Sequence, residues 1–551
     1  MKFLVTLLAI SALVFSAPAA YCADVDSRFQ DELAARGLIG NAIGDVRAEA
    51  RIPVPAEGAS VTQITANLSS GGAEAAQAVM WEELIANRKV EFMITTAPGG
   101  QRLFQYWILQ AGGGCELYQS TVYSKDGRLV TQDFWRNDPQ ALRGVGAPDF
   151  PSDLFPNYGA PISAFFDSLG SGGQAVGKLD MQAGPYDYIV LDTWTDGFDK
   201  IDSIGGSIDT VKVVMRPDVD SVLKTWPRLF RTLALPFIPK DYFYFNTKPP
   251  HQLVKFNGTI GYPAPRLDAQ LLRSWTAGPD KIPSTAGMDL EEALAVRGLV
   301  GGVMADPRAP LNFPEPAPGT LVDEIGMTLS STSEPMAQYR IWHEPLGADV
   351  LEVQETTEPR GQLGVNYWVL PAKGGGCILA GVERWSRDGR LVTSNLWRND
   401  PVTLQIPGAM NFPHDMYPNI SIPIDSFFRA LESQDSDSVA KVNLQVSPYT
   451  FISLDTWKSG SEGVTTQAGT FTAERIAVRP DLATLLPSWP SALRAAVTPF
   501  FPKLTLDYDA SPPHNLINFH GPMGWPAPAV DLQLRHRYVV SALNGSARPR
   551  E

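Results

Sequence analysis

The chain has 551 residues, 44% of them hydrophobic and 19% charged, with a formal net charge of −14. That much apolar material excludes a disordered chain and supports more than one full core. The acidic balance, with no cluster of Lys and Arg to override it, argues against nonspecific binding to nucleic acid or anionic lipid, so no nucleic-acid partner is expected.

The first element is MKFLVTLLAISALVFSAPAA, in which one Lys precedes an apolar stretch from Phe3 to Phe15 and then small residues. This is the layout of a signal peptide, assigned to residues 1–22. Its apolar run is shorter than the roughly 20 residues that span a bilayer, and no later segment has 18 uninterrupted apolar residues. The expected product is secreted, extracellular or periplasmic, with no integral membrane association.

From there the chain spells its motifs twice. LAARGLIGNAIGDVRA (33–48) answers LAVRGLVGGVMADPRA (294–309), and SKDGRLVTQDFWRNDP (124–139) answers SRDGRLVTSNLWRNDP (386–401) with 12 of 16 letters identical at a spacing of 262. FPSDLFPNYGAPISAFFDSL, LDTW, RPD, WP, PPH and GYPAP each have a counterpart at nearly the same offset. Self-similarity of this length implies a tandem duplication of a roughly 250-residue domain. The expected organisation is a first domain over 23–275, a linker over 276–287, a second domain over 288–540, and a frayed tail over 541–551.

Within each copy, strands are expected near 61–69, 89–97, 103–110, 115–124 and 128–136, with turns such as PGG, GGG and KDGR between them. Residues 77–92 alone could pass for a helix. Their counterpart carries Pro345 and Gly347 in its middle, and an interior proline costs a helix about 3 kcal/mol, so both segments are read as two strands and a turn. Short helices open at Pro161 and Pro423, and another follows RPD and breaks at Trp-Pro. The class is mainly β with minor α. About ten strands per copy suggests a closed antiparallel β-barrel-like domain, similar to calycins and lipocalins only by analogy of strand count.

Chemistry is harder to read. Trp135, Arg136, Trp397 and Arg398 in WRNDP are candidate ligand-binding residues: the arginines could hold an anionic group bidentately and the indoles could stack on a ring. The competing reading is a strand end in which turn chemistry explains every letter except the Arg. His251 and His514 in PPH, with Asp192 and Asp455 in LDTW, are candidate acid–base pairs; the structural alternative pairs each Asp with the Arg of RPD, Arg216 or Arg479. Cys115 and Cys377 occupy one repeat position and are read as buried thiols in preference to a bridge.

The common hydrolase, nucleotide and zinc signatures are missing. No cofactor is expected. No metal site is expected either, because the counterpart of His520 is Asn257. The leading expectation is a non-catalytic, secreted two-domain protein that binds a small apolar or aromatic ligand, or a glycan. The alternative is an enzyme with two similar His/Asp sites.

Overall fold

The computed structural model describes residues 34–541, apart from 37–39, 41, 46–51, 158, 170–176, 204–205, 225, 260–263, 279–284, 286, 303, 433–438 and 524–526. The signal-peptide segment and residues 542–551 of the tail lie outside the described residues, as does much of the 276–287 linker. The protein is mainly β, 51% strand against 12% helix, so packing between sheet faces decides the shape.

Each half begins with a six-strand antiparallel meander. In the first half its strands are Ser60–Leu68, Glu74–Ile85, Arg88–Thr96, Arg102–Leu109, Cys115–Tyr123 and Leu129–Arg136, each paired with the next. The 77–92 segment forms two strands, as expected, turning at Ala86 and Asn87, which both take positive φ. Two positive φ angles in succession are what a tight hairpin turn requires. The GGG before each cysteine also has a local cause: a Cβ on Gly114 would sit 2.5 Å from the backbone of Asp153, and one on Gly376 2.6 Å from that of Asp415. Cys115 and Cys377 are buried free thiols.

The later strands of the first half run from Gly177–Gly184 to Arg266–Thr276, and Arg266–Thr276 pairs with the other edge of Ser60–Leu68. The second half repeats this order from Leu321–Leu329 to Ala529–Val539.

The sheet is not closed into a barrel, which corrects the expected architecture. Closure would require the last meander strand to return to the far edge of its own sheet. Instead Leu129–Arg136 pairs antiparallel with Leu391–Arg398 of the other half, and all 26 strands among the described residues form one sheet. Its two ends are the three-residue strands Leu154–Pro156 and Met416–Pro418, each parallel to one neighbour. Very short end strands leave little unpaired backbone for another chain to extend.

The halves share a core. Phe92, Phe104, Tyr106 and Phe134 pack in one continuous cluster with Trp342, Tyr367, Trp385 and Leu396. They also exchange their opening segments. Arg36 reaches Glu344 at 3.3 Å, while Arg297 reaches Glu83 at 2.7 Å. Glu83 accepts from the Trp81 indole and the Ala56 amide; Glu344 accepts from the Trp342 indole and the Ala317 amide. A third meeting point lies at the Trp-Pro breaks, where Trp226 and Trp489 pack edge to face 6.1 Å apart.

Candidate functional site

WRNDP sits at the strand pair that joins the halves. Its register places Thr131 opposite Trp397, Asp133 opposite Asn395 and Trp135 opposite Thr393, so corresponding residues meet symmetrically about the Asp133–Asn395 pair. Asn395 Nδ2 donates to Asp133 Oδ1 at 2.8 Å. Arg136 donates to the Leu391 carbonyl at 3.1 Å and to Glu291 at 2.7 Å, both in the second half. Arg398 returns the contact by donating to the Leu129 carbonyl at 3.3 Å. The indoles of Trp135 and Trp397 are buried and donate to Gln182 and Gln445. Asp138 and Asp400 cap the short helices that follow, accepting from the Ala141 and Thr403 amides. The four predicted ligand-binding residues therefore line a junction between halves, where the arginines reach backbone carbonyls across it.

The structure does not join the predicted acid–base pairs. His251 and His514 stack on Phe166 and Phe428 at 4.6 and 4.5 Å. Their Nδ1 atoms lie 3.0 and 2.9 Å from the carbonyls of Asn246 and Asp509. Asp192 instead accepts from Lys178 at 3.1 Å, and Asp455 from Lys441 at 2.9 Å. Among the described residues no hydrogen bond links either histidine to its aspartate.

What LDTW and RPD do build is a surface feature present in both halves. Asp192 and Arg216 face each other on adjacent strands, as do Asp455 and Arg479. Trp194, two residues along, is half-buried, with the Arg216 guanidinium 5.7 Å and the Lys240 ammonium 5.9 Å from its ring centre. Trp457 has Arg479 at 5.4 Å and Lys503 at 5.5 Å. Lys178 is paired with Asp192 and Asp218 beside the first indole, and Lys441 with Asp455 and Asp481 beside the second.

Sequence reasoning missed a polar cluster confined to the second half. His343 and Glu352 lie opposite each other on paired strands, and Asp425 directly precedes helix Ser426–Glu432. His343 Nε2 is 3.1 Å from Glu352 Oε2 and 3.0 Å from Asp425 Oδ2. Burial pushes the Glu352 carboxyl up. At the corresponding places the first half has Glu82, Glu91 and Ser163. There Glu91 is bound by the Ser163 hydroxyl and by the amides of Ile162 and Ser163, and burial pushes it up to about 7. Comparing the two halves for differences in chemical type, in place of their identities, would have found the cluster.

No family model and no curated protein matches the chain. Among solved structures, the chain is similar to the crystal structure of MucB, at 10% identity over 68% of this chain and 94% of that one with a TM-score of 0.18. It is also similar to a candidate lipoprotein of Parabacteroides distasonis, at 12% identity over 41% and 99% of the two chains with a TM-score of 0.18. MucB in complex with MucA(peri) follows at 10% identity, 61% and 87% coverage, and a TM-score of 0.17. No helix among the described residues is long and apolar enough to cross a membrane.

Proposed function

We propose that the protein is an exported, non-catalytic binding protein whose two corresponding faces, Trp194 with Arg216 and Lys240, and Trp457 with Arg479 and Lys503, dock an acidic glycan. The observation that supports this reading is the recurrence, in both halves, of a half-buried indole flanked by an arginine and a lysine. A sugar ring packs its C–H face on an indole, and the adjacent guanidinium can bind a uronic carboxylate with charge-assisted hydrogen bonds. Of the ligand classes open to the sequence, this favours the glycan over an apolar molecule, since the sheet does not close around a lumen. The N-terminal signal-like segment supports export to a compartment where glycans are met.

Calorimetric titration with hexagalacturonate tests the proposal. The wild type should bind two equivalents, Trp194→Ala or Trp457→Ala one, and the double variant none, while uncharged cellohexaose should bind at least tenfold more weakly. Undiminished binding by the folded double variant would overturn it.

A further inference from the structure

The His343 cluster has the features of an ion site. Because His343 and Glu352 are directly opposed on antiparallel strands, their side chains share one face. Asp425 is brought to them from the turn before helix Ser426–Glu432. One donor atom from each of the three residues lies within 4.8 Å of the others. Separations of 3.0 and 3.1 Å between nitrogen and oxygen are close to the edges of a coordination polyhedron, about 3.0 Å for an octahedron and about 3.3 Å for a tetrahedron with metal–ligand bonds near 2.1 Å.

Two further observations point to a ligand. Glu352 is 1% exposed, yet its Oε1 accepts no hydrogen bond, and neither does Oδ1 of the buried Asn515 nearby. Unpartnered buried oxygens are rare, and each needs a physical cause. A pocket of about 10 Å³, space for about one water, is lined by His343, Asp425, Asp323 and Asn515 together with Ile325, Ile341, Ile424 and Leu516. Asp323 is already held by Arg537 at 2.7 and 3.2 Å, whereas the members of the triad are held by one another. Without an ion the two carboxylates hold the imidazole proton, pushing the His343 pKa up to about 10; a divalent cation would displace that proton, and a bidentate Glu352 would use its orphaned oxygen.

We propose that His343 Nε2, Glu352 and Asp425 bind one divalent transition-metal ion, with zinc as the ion and a water from the adjacent pocket completing its shell. Nitrogen with two carboxylates suits zinc better than calcium or magnesium, which favour all-oxygen shells. The first half does not share the site, because Glu82 and Ser163 replace the imidazole and the second carboxylate.

Calorimetry of the full chain, treated with EDTA, dialysed and titrated with zinc chloride, should show one equivalent. His343→Gln and Asp425→Ser should each weaken binding at least tenfold. The serine is the residue the first half carries at this place, so folding should be retained, and circular dichroism checks it. Cobalt(II) should give visible d–d absorption in the wild type that His343→Gln abolishes, a readout that decides the question even if Asp425→Ser fails to fold. His520→Ala removes the exposed imidazole that lies 2.7 Å from Asp531 and should change nothing. The proposal is overturned if the wild type does not bind zinc, if folded His343→Gln binds it at full affinity, if His520→Ala abolishes binding, or if calcium is preferred over zinc.

Discussion

At the residue scale, the contact between Asp133 and Asn395 is the most informative pair in the molecule. Corresponding positions face each other there, so identical residues would put two like groups in contact. Two carboxylates so placed cannot both ionise without penalty, and the chain has an aspartate on one side and an asparagine on the other. Burial pushes the Asp133 carboxyl up to about 6. A carboxyl whose pKa is higher folded than unfolded binds its proton more readily in the native state, so its contribution to stability falls as pH rises from about 4 through about 6. Asn395→Asp should therefore lower stability by about 1–3 kcal/mol at pH 7.5 and by much less at pH 4, where a shared proton relieves the repulsion. Urea melts at the two pH values measure this; an equal loss at both would show that geometry and not charge sets the pairing. That these two letters meet was not legible in the sequence, where they are merely one of the four mismatched positions in a repeated stretch.

At the element scale, the exchanged opening segments are held by a Trp-x-Glu spacing, Trp81 with Glu83 and Trp342 with Glu344. On a strand, residues two apart share a face, which lets each glutamate accept from its own indole and from an arginine of the opposite half. Arg297 and Glu83 side chains are both 6% exposed, against 30% and 10% for Arg36 and Glu344. Removing one member of a buried pair leaves the other uncompensated, so Arg297→Ala should cost about 3–5 kcal/mol and Arg36→Ala only about 1–2. Chemical denaturation of the two variants ranks them; a larger loss for Arg36→Ala would reverse the account. The strands themselves were legible: the expected 61–69, 89–97, 103–110, 115–124 and 128–136 fall within a residue of the observed ones. Alternation and turn chemistry are local, so either half alone suffices to show them.

At the scale of the whole molecule, the halves share strand pairing, a core and exchanged segments. Separate fragments 23–275 and 288–540 should therefore associate with each other in a 1:1 complex when mixed. The symmetric register adds a sharper expectation. Fragment 288–540 alone can pair Leu391–Arg398 with its own copy, amide against amide at Asn395, whereas fragment 23–275 would have to oppose Asp133 with Asp133. Light scattering at pH 7.5 should find the second fragment dimeric and the first monomeric, with dimer of the first appearing at pH 4. Two monomeric fragments that ignore each other would show that the junction contributes little.

The sequence by itself determined the β class, the strand boundaries, the turns and the twofold spelling of the motifs, since these depend on backbone preferences and on alternation within a few residues. The partner of each strand edge was decided only by the tertiary structure. A free edge can be satisfied by the far side of its own sheet or by another sheet with the same local pattern, and here Leu129–Arg136 takes the second course, which opens the expected barrel. The same limit applied to the sites. His343 and Glu352 are nine residues apart and Asp425 lies 73 further on, and only strand register and helix placement bring the three within reach. WRNDP reads as a ligand site because its arginines and indoles suit an anionic ring; in three dimensions its arginines reach backbone carbonyls of the other half.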